Sequence, residues 1–129
     1  MIYGIGTDIV YISRIEELIN RYSIKFINRI LGVNERLIYQ RLSKKQQANF
    51  IAKRFAGKES VAKAIGSGIG SFLSFCDIEI LNNQFGKPKV TIKEADKIVL
   101  GRIKLTKYKI DISLSDNYPV AIAFVIISI

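Results

Sequence analysis

The order of hydrophobic periodicities along the chain predicts an α+β fold, with helices packed on a small, mainly antiparallel sheet. Three observations carry this expectation. One strand-like stretch opens the chain, helical patterns fill its middle, and strand patterns in hairpin order close it, which does not suit a doubly wound sheet. A length of 129 residues with 49% hydrophobic content supports one domain, residues 1–129, with a real core. Two prolines and no polar low-complexity tract leave no obvious linker or internal repeat.

The first element, residues 2–10, reads as a mostly buried strand. Period-2 alternation puts Gly4, Gly6 and Asp8 on one face and Ile5 and Ile9 on the other. The two glycines beside an aspartate leave room for a ligand or for another backbone. Ser13-x-x-Glu16 has the form of a capping box opening a helix with Ile15, Leu18, Ile19 and Tyr22 inward. Ser23 and Asn34 resemble N-caps of short helices over 24–31 and 35–42. Ser43-x-x-Gln46 opens a long helix that ends at Gly66.

Strands are expected over 75–81 and 89–92, joined by the turn Asn82–Pro88, followed by a weakly periodic helix over 93–101. Residues 108–115 alternate with Ile110, Ile112 and Leu114 inward. Residues 120–128 are apolar on both faces and predict a central strand.

The net charge is +9 and uneven. Residues 12–63 hold twelve Lys/Arg against Glu16, Glu17, Glu35 and Glu59, whereas the remainder holds eight cations against seven carboxylates. The helical part is therefore a positive surface suited to an anionic partner. The absence of histidine excludes a Ser-His-Asp or Cys-His device and any His-ligated metal. A lone cysteine, Cys76, excludes an intrachain disulfide and fits a reducing compartment. No basic start precedes Asp8, and the longest apolar run is far below the ~20 residues of a membrane helix, so a cytoplasmic protein with no membrane partner is expected.

At about 100° per residue, Ile51, Phe55, Ala62 and Ile65 share one stripe of the long helix, and Arg54 and Lys58 fall inside its arc. Long cations are seldom buried unpaired, so this stripe calls either for an anion or for snorkelling side chains. Glu59 and Lys63 lie one turn apart beside it. Gly57-Lys58 is no phosphate loop, because Ala52 and Glu59 occupy positions that require Gly and Ser/Thr. Gly66-Ser67-Gly68-Ile69-Gly70 reads either as a phosphate-accepting stretch of backbone N–H groups or as a helix C-cap.

Taken in order, Gly4–Val10, Arg54–Ala64, Gly66–Gly70, Asp77–Leu81, Gly86-Lys87-Pro88 and Ser113-Leu114-Ser115 resemble the bacterial holo-[acyl-carrier-protein] synthases, small 4′-phosphopantetheinyl transferases. The resemblance covers essentially the whole chain. It implies transfer of 4′-phosphopantetheine from coenzyme A to a serine of an acidic apo-acyl carrier protein, with release of adenosine 3′,5′-bisphosphate, in fatty acid biosynthesis. It further implies a homotrimer with active sites at subunit interfaces. By the same resemblance Asp8 and Glu59 hold Mg²⁺, and Asp8, Glu59 and Lys63 are catalytic. Coenzyme A falls to Arg54, Lys58, Lys63, Gly66, Ser67, Gly68, Lys87, Pro88 and Ser113, and carrier-protein docking to Arg14 and Arg21. Such a site suits the chemistry, because phosphoryl transfer is catalysed mainly by positioning and cationic stabilisation, and Mg²⁺ takes one or two carboxylates plus substrate phosphates.

The chain departs from the family's usual pattern at Asp111 and Asp116, where the family commonly has histidines. The base for the attacking serine is thereby left open among a Mg²⁺-bound water, Glu59 and Asp111. Two other readings stand beside the transferase: a small basic nucleic-acid-binding domain, and a coenzyme A-binding member of the fold without catalysis. The first explains the charge but neither the carboxylates set beside glycines nor the cations on the apolar stripe.

Overall fold

The computed structural model describes residues 1–70 and 73–129. Strand β1 (Ile2–Tyr11) runs without a break into helix α1 (Ile12–Tyr22), followed by α2 (Ile24–Ile30), α3 (Val33–Tyr39) and the long α4 (Lys44–Ile65). The chain then forms β2 (Ile78–Asn82), β3 (Pro88–Ile92), the two-residue strands β4 (Val99–Leu100) and β5 (Ile103–Lys104), and finally β6 (Lys109–Asn117) and β7 (Val120–Ser128). All described strand pairs are antiparallel. The expected α+β class is what the structure shows.

β7 is the middle strand of the main sheet, ordered β1-β7-β6. Its β-branched and aromatic residues suit a strand paired on both edges, but within the chain only one of its faces is covered, since Ile122 and Phe124 on the other are 42% exposed. Register pairs Asp8 with Ala123 and Ala123 with Leu114, so these three share the face covered by α4. Ala121, Ala123, Val125 and Ile127 are buried there.

α4 is the axis of the molecule, with thirteen of its 22 residues buried, too many for a single stripe. Its Ala-rich sequence favours helix, Ser43 caps it by accepting from the Gln46 N–H, and Gly66 ends it at φ 92°. Gly4 and Gly6 let it lie against β1. A Cβ on Gly4 would sit 2.0 Å from the Ala64 carbonyl oxygen, and one on Gly6 would sit 1.9 Å from that of Ser60. The room left by these glycines is therefore filled by a backbone, not a ligand. On one side of α4 a core forms with α1, α2 and Ala121/Ala123; on the other, Val61 and Ile65 join Ile78, Ile80 and Ile127.

Several local expectations give way to tertiary context. β1 is buried on one face only, with Ile5 and Ile9 about 60% exposed on the other. The Ser13–Glu16 box does not form, because β1 delivers the chain directly into the helix at Ile12, whose N–H bonds the Pro119 carbonyl instead. Tyr22 turns outward. Ser23 does precede α2, but its side chain makes no capping bond. Asn34 caps nothing: α3 starts two residues earlier, after Gly32, and the Asn34 side chain bonds Glu79. Over 93–101 only a single 3-10 turn (Ala95–Lys97) precedes β4, because Ile98 and Leu100 are drawn into the core as extended chain.

Candidate active site

Asp8 lies on the helix-facing side of β1, and Glu59 and Lys63 lie one turn apart on α4, so the close β1–α4 packing brings all three together. The Lys63 ammonium donates to the Thr7 carbonyl at 2.9 Å and to Asp8 Oδ1 at 3.1 Å. Its side chain is 52% exposed, against 18% for Asp8. Glu59 is half-buried, and burial pushes its carboxyl above the ordinary value. The Asp8 charge pushes the same way, and Lys63 offsets only part of it. Two neighbouring carboxylates so under-neutralised favour a further cation. Their hard oxygens fit Mg²⁺, which takes few protein ligands and keeps places for water and phosphate.

Gly66, Ser67 and Gly68 follow three to five residues after Lys63, but their N–H groups all turn back to the Ala62 carbonyl. In this structure they form the helix C-cap.

Arg54 and Lys58 both turn into the interior. Lys58 is fully buried and bonds Glu35 Oε1 and the Ile30 carbonyl, each at 2.5 Å. Burial pulls its ammonium pKa down and Glu35 opposes that pull. The Arg54 guanidinium donates to the Ile80 carbonyl and stacks 4.0 Å over the Phe50 ring. The anion demanded by the apolar arc is therefore Glu35 of the same chain. Sequence reading missed this residue. Its signal was Gly32-x-x-Glu35, a helix-start spacing in which Glu35 Oε1 accepts from the Gly32 N–H.

Lys87, Pro88 and Ser113 are not brought to Asp8 within one chain. Lys87 and Pro88 line a cleft of about 630 Å³ between the β2–β3 hairpin and β6, together with Tyr108 and Lys109. Ser113, paired with Phe124, lies on the sheet face away from α4. Asp111 is on that same face and pairs with Lys109, whereas Asp116 pairs with Lys53 of α4. Arg14 and Arg21 are exposed on α1.

The frame defines a class first: a small α+β protein whose long helix, pressed on a glycine-lined strand, carries an acidic and basic cluster at the seam. Comparison with known proteins gives the family. The model of the 4′-phosphopantetheinyl transferase superfamily matches residues 4–123. A holo-[acyl-carrier-protein] synthase of Orientia tsutsugamushi (strain Ikeda) is 73% identical over 128 residues, 99% of this chain and 98% of the relative. A crystal structure of a holo-(acyl-carrier-protein) synthase from Bacillus anthracis in complex with CoA (3′,5′-ADP) is 36% identical with a TM-score of 0.84, covering 99% of this chain and 97% of that one. The Helicobacter pylori holo-[acyl-carrier-protein] synthase in complex with coenzyme A is 34% identical with a TM-score of 0.80, covering 96% of this chain and 99% of that one. The chain belongs to the 4′-phosphopantetheinyl transferase superfamily.

Proposed function

We propose that the whole chain, as one domain, is a holo-[acyl-carrier-protein] synthase acting in the cytoplasm for fatty acid biosynthesis. It would move 4′-phosphopantetheine from coenzyme A to a serine of apo-acyl carrier protein and release adenosine 3′,5′-bisphosphate. The observation that carries this reading is the convergence of Asp8, Glu59 and Lys63 at the β1–α4 seam. The names of its relatives support it. The nucleic-acid-binding alternative offers no use for that cluster, whereas a catalytically silent coenzyme A-binding protein would keep it for binding and is separated by turnover alone.

Asp8 and Glu59 would hold Mg²⁺, which when bound neutralises pyrophosphate charge. In the reaction a bond forms between the serine oxygen and the β-phosphorus of the pyrophosphate, and the bond from that phosphorus to the bridging oxygen breaks. Lys63, with its half-exposed ammonium, is placed to stabilise charge on the departing phosphate. Within one chain Glu59 is the carboxylate suited to receive the serine proton, since Asp8 is engaged by Lys63 and Asp116 by Lys53, while Asp111 lies on the far sheet face and could reach the site only from another copy. Arg14 and Arg21 supply a positive surface that would speed encounter with an acidic carrier.

The sheet face opposite α4 supports assembly. Ile5, Ile9, Ile122 and Phe124 are 42–61% exposed there. A homotrimer closing on this face would bury them and bring Ser113, Lys87 and Pro88 of one copy toward Asp8 and Glu59 of another. Phe124→Asp is expected to reduce the sedimenting mass to that of a monomer and to abolish turnover; an unchanged mass would count against this interface. The activity itself is tested by incubating coenzyme A, Mg²⁺ and apo-carrier protein and weighing the carrier. A Mg²⁺-dependent gain of one phosphopantetheine arm supports the reading, and coenzyme A binding without a gain would replace it by the silent one.

A further inference from the structure

The buried pair Glu35–Lys58 has no part in the chemistry above, yet it occupies the residue next to Glu59. Both side chains are fully buried. Glu35 Oε1 accepts from Lys58 Nζ and from the Gly32 N–H at 2.9 Å, and Oε2 accepts from the Ile80 N–H at 2.9 Å. Lys58 also reaches the Ile30 carbonyl. One charge pair therefore ties α4 to the α2–α3 turn and to β2. The turn is fixed a second time by Glu79 of β2, which accepts from the Asn34 N–H at 2.9 Å and from the Glu35 N–H at 3.2 Å.

The opposite side of α4 has a different surface. Against Gly4 and Gly6 it meets bare backbone, a contact that permits close approach and offers few side-chain knobs to resist sliding or rotation. The directional ties on that side are Lys63 and Ser60. Lys63 is a long and half-exposed side chain that reaches the Thr7 carbonyl and Asp8. Ser60 Oγ lies 2.8 Å from the Ala56 carbonyl of its own helix and 3.3 Å from the Ala123 carbonyl of β7. Yet the distance between Asp8 on β1 and Glu59 on α4 depends on that register. Buried ion pairs in general seldom stabilise more than hydrophobic replacements do, but this pair also satisfies the buried Gly32 and Ile80 N–H groups and the Ile30 carbonyl. What the pair adds is direction.

We infer that Glu35 and Lys58 are positioning residues, which fix the rotation and register of α4 so that Glu59 meets Asp8 at metal-binding distance. This rests on the proposed Asp8–Glu59 metal site. The test uses the isosteric double variant Glu35→Gln/Lys58→Met, with Mn²⁺ as the probe, read by electron paramagnetic resonance. A lower melting temperature is expected, because the amide oxygen of Glu35→Gln can serve only one of the Gly32 and Ile80 N–H groups and the Ile30 carbonyl loses its donor. Mn²⁺ affinity of the folded variant is expected to weaken about tenfold or more, as for lost supporting contacts around a metal site. Turnover is expected to fall in kcat with the KM for carrier protein unchanged. A folded double variant that binds Mn²⁺ and turns over like the parent overturns the inference, whatever its melting temperature. Should it not fold, Glu35→Asp, which keeps both charges but shortens the tether, decides by the same two readouts. Glu59→Gln separates the levels. If it leaves Mn²⁺ affinity intact, the metal-site reading has failed; if it abolishes binding while the Glu35 and Lys58 variants change nothing, only the positioning inference has failed.

Discussion

Lys58 and Glu59 are consecutive residues of one helix, and α4 delivers them to opposite environments. Lys58 and Arg54 enter the interior, where every charge meets a partner from its own chain: Glu35, the Ile30 carbonyl, the Ile80 carbonyl. Among the described residues no buried side-chain polar atom is left without a partner. Glu59, Asp8 and Lys63 stay at the rim, with two carboxylates sharing one lysine. The contrast separates charges that hold the fold from charges that the proposed function assigns to a ligand. The first kind is expensive to disturb and chemically idle, whereas the second carries a residual electrostatic strain that a cation would relieve.

The sharpest way to break this contrast is to unpair the interior set. Lys58→Met strands the Glu35 carboxylate and should cost about 3–5 kcal/mol in urea denaturation. A loss below about 1 kcal/mol would mean that the pair is not the closed unit described. Next in size is a change at the rim. Asp8→Asn is expected to leave the denaturation midpoint near the parent's while lowering kcat about 10²–10³-fold, the scale of one lost electrostatic stabiliser. A parallel fall in stability would make Asp8 a fold residue. Smaller again is the seam between the two regions. Gly6→Ala forces a methyl against the Ser60 carbonyl and should cost about 1–3 kcal/mol. It should weaken divalent binding as well, because α4 must retreat from β1.

Much of this frame was readable in the sequence because local signals and tertiary demands coincide. Ser43 and Gln46 at one end of α4 and Gly66 at the other mark a helix whose caps form as written. The apolar run of β7 needs a central position, and it occupies one. The misreadings have a common cause in contacts that only the fold creates. Ser13 lost its box because β1 has no break before α1. Arg54 and Lys58 were recognised as lacking an anion, but the spacing along α4 could not say that Glu35, 23 residues before Lys58, would supply it. Gly66–Gly70 suits both anion capture and a cap, and in this structure the N–H groups of Gly66, Ser67 and Gly68 turn to the Ala62 carbonyl. At the rim, the metal-ligand role of Asp8 and Glu59 is proposed from family resemblance, and the glycine face of β1 supplies the physical reason that their elements pack together.

The most direct test of the division between interior and rim charges is a single variant, Glu59→Gln, assayed for Mn²⁺ binding and for metal-free melting. A Glu59 carboxyl pushed above its ordinary value binds its proton more tightly in the folded chain than in the unfolded one, so metal-free stability falls as pH rises through that range. Neutral glutamine escapes this loss. The account predicts that Glu59→Gln abolishes Mn²⁺ binding while raising the metal-free melting temperature at neutral pH, with the gain vanishing below the carboxylate range. Retained Mn²⁺ binding, or a melting temperature lowered at neutral pH, would contradict it.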